Sequence, residues 1–157
     1  MFNVLFLCTG NSKRSIMAEA LLNHWGKGRF KAYSAGSHPK DKVDENALHV
    51  IKHAKLAVPD DIKPKSWTEF EKEGAPHMDF VITVCDNARG ETCPIWPGHP
   101  ITAHWGVQDP KVVGDDIQQF HDVLRILNTR IQLFTQLPLD KLQHQKLKQE
   151  LETIAQH

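Results

Sequence analysis

Val4-Leu5-Phe6-Leu7-Cys8-Thr9-Gly10-Asn11-Ser12-Lys13-Arg14-Ser15 is the stretch that decides the fold. The apolar run 4–7 suits a short strand buried on both faces. Turn-prone residues 9–12 follow, and from Arg14 the residues Ile16, Ala20, Leu21 and Trp25 share one helical face, closed by Gly26 and Gly28. In such a loop successive N–H groups converge on one point and form an anion-binding nest. A helix beginning near Lys13 adds its unpaired N–H groups and the positive end of its dipole. Arg14 supplies a planar fork that grips two oxygens of a tetrahedral oxyanion. Cys8 lies in the same positive field, which favours the nucleophilic thiolate, and Ser15 offers the sulfur a hydroxyl. The plainer reading of Cys8 is a small core hydrophobe at a strand end. Its setting of strand, loop, helix and hydroxyl weighs against that.

The remaining chain alternates between strand and helix patterns. Residues 30–34 read as a second strand, with Ala35-Gly36-Ser37 turning the chain. An amphipathic helix is expected over 41–57, from Val43, Ala47, Val50, Ile51 and Ala54. Pro59 and Pro64 interrupt it before a short helical segment at 68–73. Residues 79–85 carry the clearest strand pattern, 86–100 form a long polar loop, and 101–105 give a weaker fourth strand. Ile117, Phe120, Leu124, Leu127, Ile131 and Phe134 mark a strong helix, and a last helix after Pro138 either docks or protrudes. Such alternation predicts an α/β fold, a parallel sheet with helices on both faces. Ligands of open sheets bind at the carboxyl ends of the strands, so Cys8 and Cys85 are expected on one edge.

With 157 residues, 40% of them hydrophobic, the chain suits one globular domain over 1–157. A formal net charge of zero gives no case for nucleic acid or an acidic membrane surface. Three cysteines do not suggest a disulfide-stapled secreted fold, and the first apolar run is too short for a signal or spanning helix. A cytoplasmic monomer is expected. The ten histidines show no shared ligand spacing.

A second constellation is Cys85-Asp86-Asn87-Ala88-Arg89-Gly90-Glu91-Thr92-Cys93-Pro94, two thiols around a seven-residue loop. Loops of this length allow a disulfide, and a third thiolate reaching Cys8 would support a relay that exports oxidation to a surface pair. Two inert thiols are one alternative. A metal site with His99 and His104 is another, disfavoured because zinc prefers tighter paired spacing. Asp109-Pro110 places a carboxyl on a stiffened loop, either as a general acid or as an ordinary turn or capping residue.

Cys8 to Ser15 together with Asp109-Pro110 resembles the low-molecular-weight protein tyrosine phosphatase family. Met17-Ala18-Glu19-Ala20, Tyr33-Ser34-Ala35-Gly36, and Cys93-Pro94-Ile95 leading to His104-Trp105-Gly106 sharpen the resemblance toward the thioredoxin-coupled arsenate reductases on that fold. The similarity spans about residues 2–136, with a helical extension over 139–157 outside it. It implies a three-layer, four-stranded parallel sheet in the order 2-1-3-4. It also implies that Thr9, Gly10, Asn11, Ser12, Lys13, Arg14 and Ser15 hold the oxyanion, arsenate or phosphate. Cys8 then forms a thiol–arsenate adduct, and Asp109 protonates the departing oxygen. Cys85 attacks Cys8 to release arsenite, Cys93 attacks Cys85, and thioredoxin reduces the resulting disulfide; glutathione with glutaredoxin is the other donor class. No cofactor and no metal enter the redox steps.

Several positions depart from the pattern. The Cys85–Cys93 loop is one residue longer than in the best-known members, and Lys13 stands where some relatives carry another cysteine. Some members bind potassium through residues matching Asn11, Glu19 and Ser34, but their further aspartate falls near Ser66 or Trp67 here. Lys111 and Val112 follow Asp-Pro where phosphatases typically carry aromatics. The alternative to a reductase is a phosphomonoester hydrolase using Cys8, Arg14 and Asp109, and a non-catalytic anion-binding module leaves Cys8 unexplained.

Overall fold

Phe2–Cys8 forms the central strand β1, and its last five residues are buried. The computed structural model describes residues 1–86, 96 and 99–157. The other strands are β2 (Phe30–Gly36), β3 (Phe80–Thr83) and β4 (Ile101–His104). All neighbours are parallel and the order is β2-β1-β3-β4, as expected. Strand alternation divides β1 between two layers. Val4, Phe6 and Cys8 join the main core, whereas Leu5 and Leu7 pack with Ala35, Met78 and Val81 on the opposite face. A 3₁₀ turn at Trp67–Phe70 contributes Trp67 and Phe70 to that second layer.

Helix α1 (Arg14–Trp25) begins and ends where the sequence placed it, but not with the expected face. Every residue from Arg14 to Leu22 is buried, whereas Trp25 is 46% exposed. The helix packs on β1 and β2 below and on α2 and α3 beside, so no side of its first turns faces water. Helix α2 is shorter than the expected 41–57 and spans Glu45–His53. Asp44 accepts hydrogen bonds from the N–H groups of Asn46 (2.8 Å) and Ala47 (3.3 Å), which fixes the start. Lys55, at φ 62°, turns the chain away just past the end.

Helix α3 (Gln118–Thr135) carries the long apolar stripe, and α4 (His144–Ile154) docks through Leu147, Leu151 and Ile154. The Trp105 indole N–H donates to the Leu151 carbonyl (3.0 Å), and Arg130 fastens the same corner. Its guanidinium is buried and donates to the carbonyls of Trp105 (3.1 Å), Gly106 (3.2 Å) and Ala155 (3.1 Å). Arg130 therefore ties the segment leaving β4 to the C-terminal helix. Among the described residues, no helix is long and apolar enough to cross a membrane.

Candidate active site

The loop after β1 is shaped by the segment that leaves β2. Backbone N–H groups of Ser37, His38, Lys40 and Asp44 donate to the carbonyls of Cys8 (3.3 Å), Thr9 (2.9 Å), Gly10 (2.9 Å) and Ser12 (3.0 Å). A planar trans peptide points its N–H opposite its carbonyl. Anchoring these four carbonyls outward therefore turns the N–H groups of Thr9, Gly10, Asn11 and Lys13 to the inner side of the loop. Gly36 permits the close approach. A Cβ there would lie 2.5 Å from the Thr9 carbonyl oxygen, so any side chain displaces the loop.

Asn11 adopts φ 48°, a left-handed conformation that asparagine tolerates better than most residues. Its side chain is fixed at both ends: Nδ2 donates to Ser15 Oγ (2.8 Å) and Oδ1 accepts from Lys65 N (2.8 Å). The Asn11 backbone N–H donates to Cys8 Sγ at 3.2 Å, and Ser15 Oγ lies 3.0 Å from the same sulfur. Because Ser15 Oγ already accepts from Asn11, its own proton is available to the sulfur. Two donors thus converge on Cys8, which is a free cysteine.

A cavity of about 140 Å³ opens over the sulfur, bounded by Cys8, Lys13, Arg14, His38, Lys40 and Asp109. Its small volume and cationic rim suit a tetrahedral anion. Arg14 is 5% exposed and is steadied by donation from Nη1 to the Val107 carbonyl (3.0 Å). Arg130 holds the carbonyls of Trp105 and Gly106 next to that carbonyl, so it supports Arg14 from behind. A sequence signal for Arg130 exists. Val123, Leu127, Arg130 and Phe134 step by four, three and four along α3, placing an arginine on the core face.

Asp109 lines the cavity in a specific electrostatic setting. Burial alone would raise its carboxyl. Hydrogen bonds from Lys111 and Lys13, with the charges of Lys13 and Arg14, outweigh that and hold it below the ordinary carboxylate value. The Lys13 ammonium is engaged by protein acceptors at the cavity. Its Nζ contacts Asp109 Oδ1 (3.2 Å) and the Pro110 carbonyl (3.0 Å).

Behind the loop, the Ser34 hydroxyl donates to Glu19 Oε1 (2.7 Å). Burial pushes the Glu19 carboxyl up, against lowering by Lys65 and by the Ser34 hydrogen bonds. Asn11 is thus engaged by Ser15 Oγ and the Lys65 backbone, Glu19 and Ser34 by each other, and the positive charge acting on Glu19 is that of Lys65. This set does not fit an added potassium ion well. A raised carboxyl binds its proton more tightly folded than unfolded. The cost of ionising Glu19 is therefore absent below the ordinary glutamate value, grows as pH rises above it, and is complete once pH exceeds the raised value. Glu19→Gln keeps an acceptor for Ser34 and removes this cost. Melting curves from pH 4 to 8 should show the variant gaining on the parent as pH rises through and above the ordinary glutamate value. Equal pH dependence would contradict this.

Cys85 is buried two residues beyond β3, and the pairing of Leu7 with Thr83 puts it on the same sheet edge as Cys8. Both belong to one buried cluster. Cys85 is disulfide-bonded, while Cys93 lies outside the described residues, as does most of the 86–100 loop. His104 Nδ1 lies 2.7 Å from Thr83 Oγ1. Among the described residues, no group of three or more His, Cys, Asp or Glu side chains is placed to hold a metal ion.

A thiol at a strand end, an inward-facing amide loop and an arginine opening the next helix define the phosphatase-loop class of α/β proteins. The chain belongs to the low molecular weight phosphotyrosine protein phosphatase family, which it matches over residues 3–151. The match runs past the expected limit at 136 and into α4, consistent with that helix being part of the core. An arsenate reductase of Oceanobacillus iheyensis is 33% identical over 139 residues, covering 83% of this chain and 93% of the relative. The crystal structure of an arsenate reductase from Archaeoglobus fulgidus superposes with a TM-score of 0.70 at 30% identity, covering 84% of this chain and 98% of that one. A thioredoxin-dependent arsenate reductase of Corynebacterium glutamicum gives a TM-score of 0.61 at 28% identity, covering 83% of this chain and 58% of that one.

Proposed function

We propose that the chain is an arsenate reductase that works through a three-cysteine relay. The observation that carries this reading is the free Cys8, with two donors at its sulfur, beneath a small cationic cavity and on the same sheet edge as a second buried cysteine. The names of its curated relatives support the same substrate.

In the first step the Cys8 thiolate attacks arsenic. An S–As bond forms, an As–O bond breaks, and the departing oxygen leaves as water. The loop amides and Arg14 carry the negative charge, and the departing oxygen takes its proton from the oxyanion's own hydroxyl groups, with Asp109 on the cavity wall. Cys85 then attacks the Cys8 sulfur. The S–S bond forms as the S–As bond breaks, the bonding pair stays on arsenic, and arsenic(V) leaves as arsenite. Cys93 attacks Cys85, returning Cys8 as a thiolate and leaving a Cys85–Cys93 disulfide for a dithiol donor to reduce. A disulfide at Cys85 beside a free Cys8 suits the state just before that reduction.

Thioredoxin is the proposed donor, by likeness to the thioredoxin-dependent neighbour, with glutathione and glutaredoxin as the other class. A cytoplasmic monomer fits this chemistry, because the relay needs a reducing compartment. The test is arsenite production from arsenate with thioredoxin, thioredoxin reductase and NADPH. Steady turnover is expected. No arsenite with either donor system, but hydrolysis of phosphate esters, would transfer the assignment to the phosphomonoester hydrolase reading built on Cys8, Arg14 and Asp109.

A further inference from the structure

Lys13 occupies the last loop position before Arg14, and its side chain lines the cavity and reaches Asp109. Its Nζ lies 3.2 Å from Asp109 Oδ1 and 3.0 Å from the Pro110 carbonyl oxygen, and 5.6 Å above the Phe120 ring centre. The side chain is only 13% exposed. Lys111 takes the other carboxylate oxygen, Oδ2, at 2.7 Å, but its own side chain is 65% exposed and free to leave. Both oxygens of Asp109 are therefore held by ammonium groups, and Lys13 is the one anchored on three sides.

We infer that Lys13 is a positioning residue that ties the Asp109 carboxylate at the cavity, withholds it from phosphomonoester cleavage, and so biases the site toward free oxyanions. The inference rests on Cys8 being the nucleophile of the proposed function. In ester cleavage the Cys8 sulfur attacks phosphorus, the S–P bond forms as the P–O ester bond breaks, and the leaving alkoxide or phenoxide must take a proton. Water later cleaves the S–P bond. Among the described residues bounding the cavity, Asp109 is the only one with a carboxyl. An inorganic oxyanion differs, because its own hydroxyl groups carry protons that a departing oxygen can take away as water. A tied carboxylate thus slows ester cleavage more than adduct formation with arsenate.

The surroundings reinforce the tie. Arg14 adds charge from α1, Lys111 flanks the carboxylate, and His38, Lys40 and Cys8 also line the cavity. Lys111, Lys13 and Arg14 together keep Asp109 a poor acid at neutral pH, in keeping with its titration below the ordinary carboxylate value. Removing Lys13 takes away a hydrogen bond and a charge that favour the ionised carboxyl, so Asp109 is expected to hold a proton more readily.

The test compares two esters that differ in their need for an acid, in the full chain. Phenyl phosphate has a strongly basic leaving group, whereas p-nitrophenyl phosphate leaves with little assistance. Lys13→Met is expected to raise kcat/KM for phenyl phosphate at pH 7 by at least about tenfold, with much less change for p-nitrophenyl phosphate. The alkaline limb of the phenyl phosphate profile should move to higher pH. Lys13→Arg, which keeps a cation, should stay near the parent, and adding Asp109→Asn to Lys13→Met should erase the gain. Equal change for both esters, a fixed alkaline limb, or a gain that survives Asp109→Asn would overturn the inference. Failure of the parent to make arsenite would instead count against the proposed function and leave this comparison intact.

Discussion

Replacing Cys8 with serine is expected to abolish arsenite formation, a loss of 10⁴-fold or more by the order of magnitude seen when an enzyme nucleophile is deleted. The size of the effect follows from electrons rather than geometry. Serine is nearly isosteric, and the Asn11 N–H and Ser15 hydroxyl that meet the sulfur would meet its oxygen instead. An oxygen at that position cannot accept attack from Cys85 to form a disulfide, so arsenic has no route to its two electrons. Arsenite assays on Cys8→Ser should return the background rate. Phosphate binding to the same variant, followed by calorimetry, separates a lost nucleophile from a collapsed pocket. Arsenite production by Cys8→Ser near the parent rate would remove the loop from the chemistry altogether.

The second large effect is expected at Arg14. Arg14→Lys retains the charge but not the fork, so its consequences isolate geometry. The guanidinium bonds the Val107 carbonyl at 3.0 Å and lines the cavity, so it has both a structural and a proposed anion-binding task. An ammonium on a flexible stem does one or the other. We expect kcat/KM for arsenate to fall by about 10²–10³, the range for losing one preorganised donor to a developing oxyanion. Inhibition by phosphate should weaken in parallel. A change of less than about threefold in both quantities would mean that the loop amides hold the anion without Arg14.

Local sequence carried the central features well. The apolar run 4–7 needed nothing outside itself to be read as a buried strand, and its loop and helix announce themselves by residue type within one short span. The sheet order followed from the resemblance, and the pairing of β1 between β2 and β3 agrees with it. Features that depend on distant partners were less visible. Gly36 looks like a simple turn residue, yet its lack of a side chain is required by the Thr9 carbonyl brought against it. Lys13 reads as one more cation of the loop, because nothing in the sequence says that Asp109, 96 positions away, will claim it. Helix α1 departs from its expected single buried face for a related reason. Periodicity reports one buried stripe, and it cannot anticipate neighbours on all sides of Arg14 to Leu22. The expected 41–57 helix overshot because Asp44 caps it from within the stretch that was apolar enough to continue.

The relay is the centre of the account, and counting arsenite per enzyme in Cys93→Ser tests it most directly. This variant retains the two thiols that reduce arsenate and lacks the one that frees Cys8. Mixed in reduced form with excess arsenate, thioredoxin, thioredoxin reductase and NADPH, it should release about one arsenite per chain and stop with Cys8 and Cys85 joined, whereas the parent continues. Sustained turnover by Cys93→Ser at the parent's rate, or release of no arsenite at all, would contradict the account.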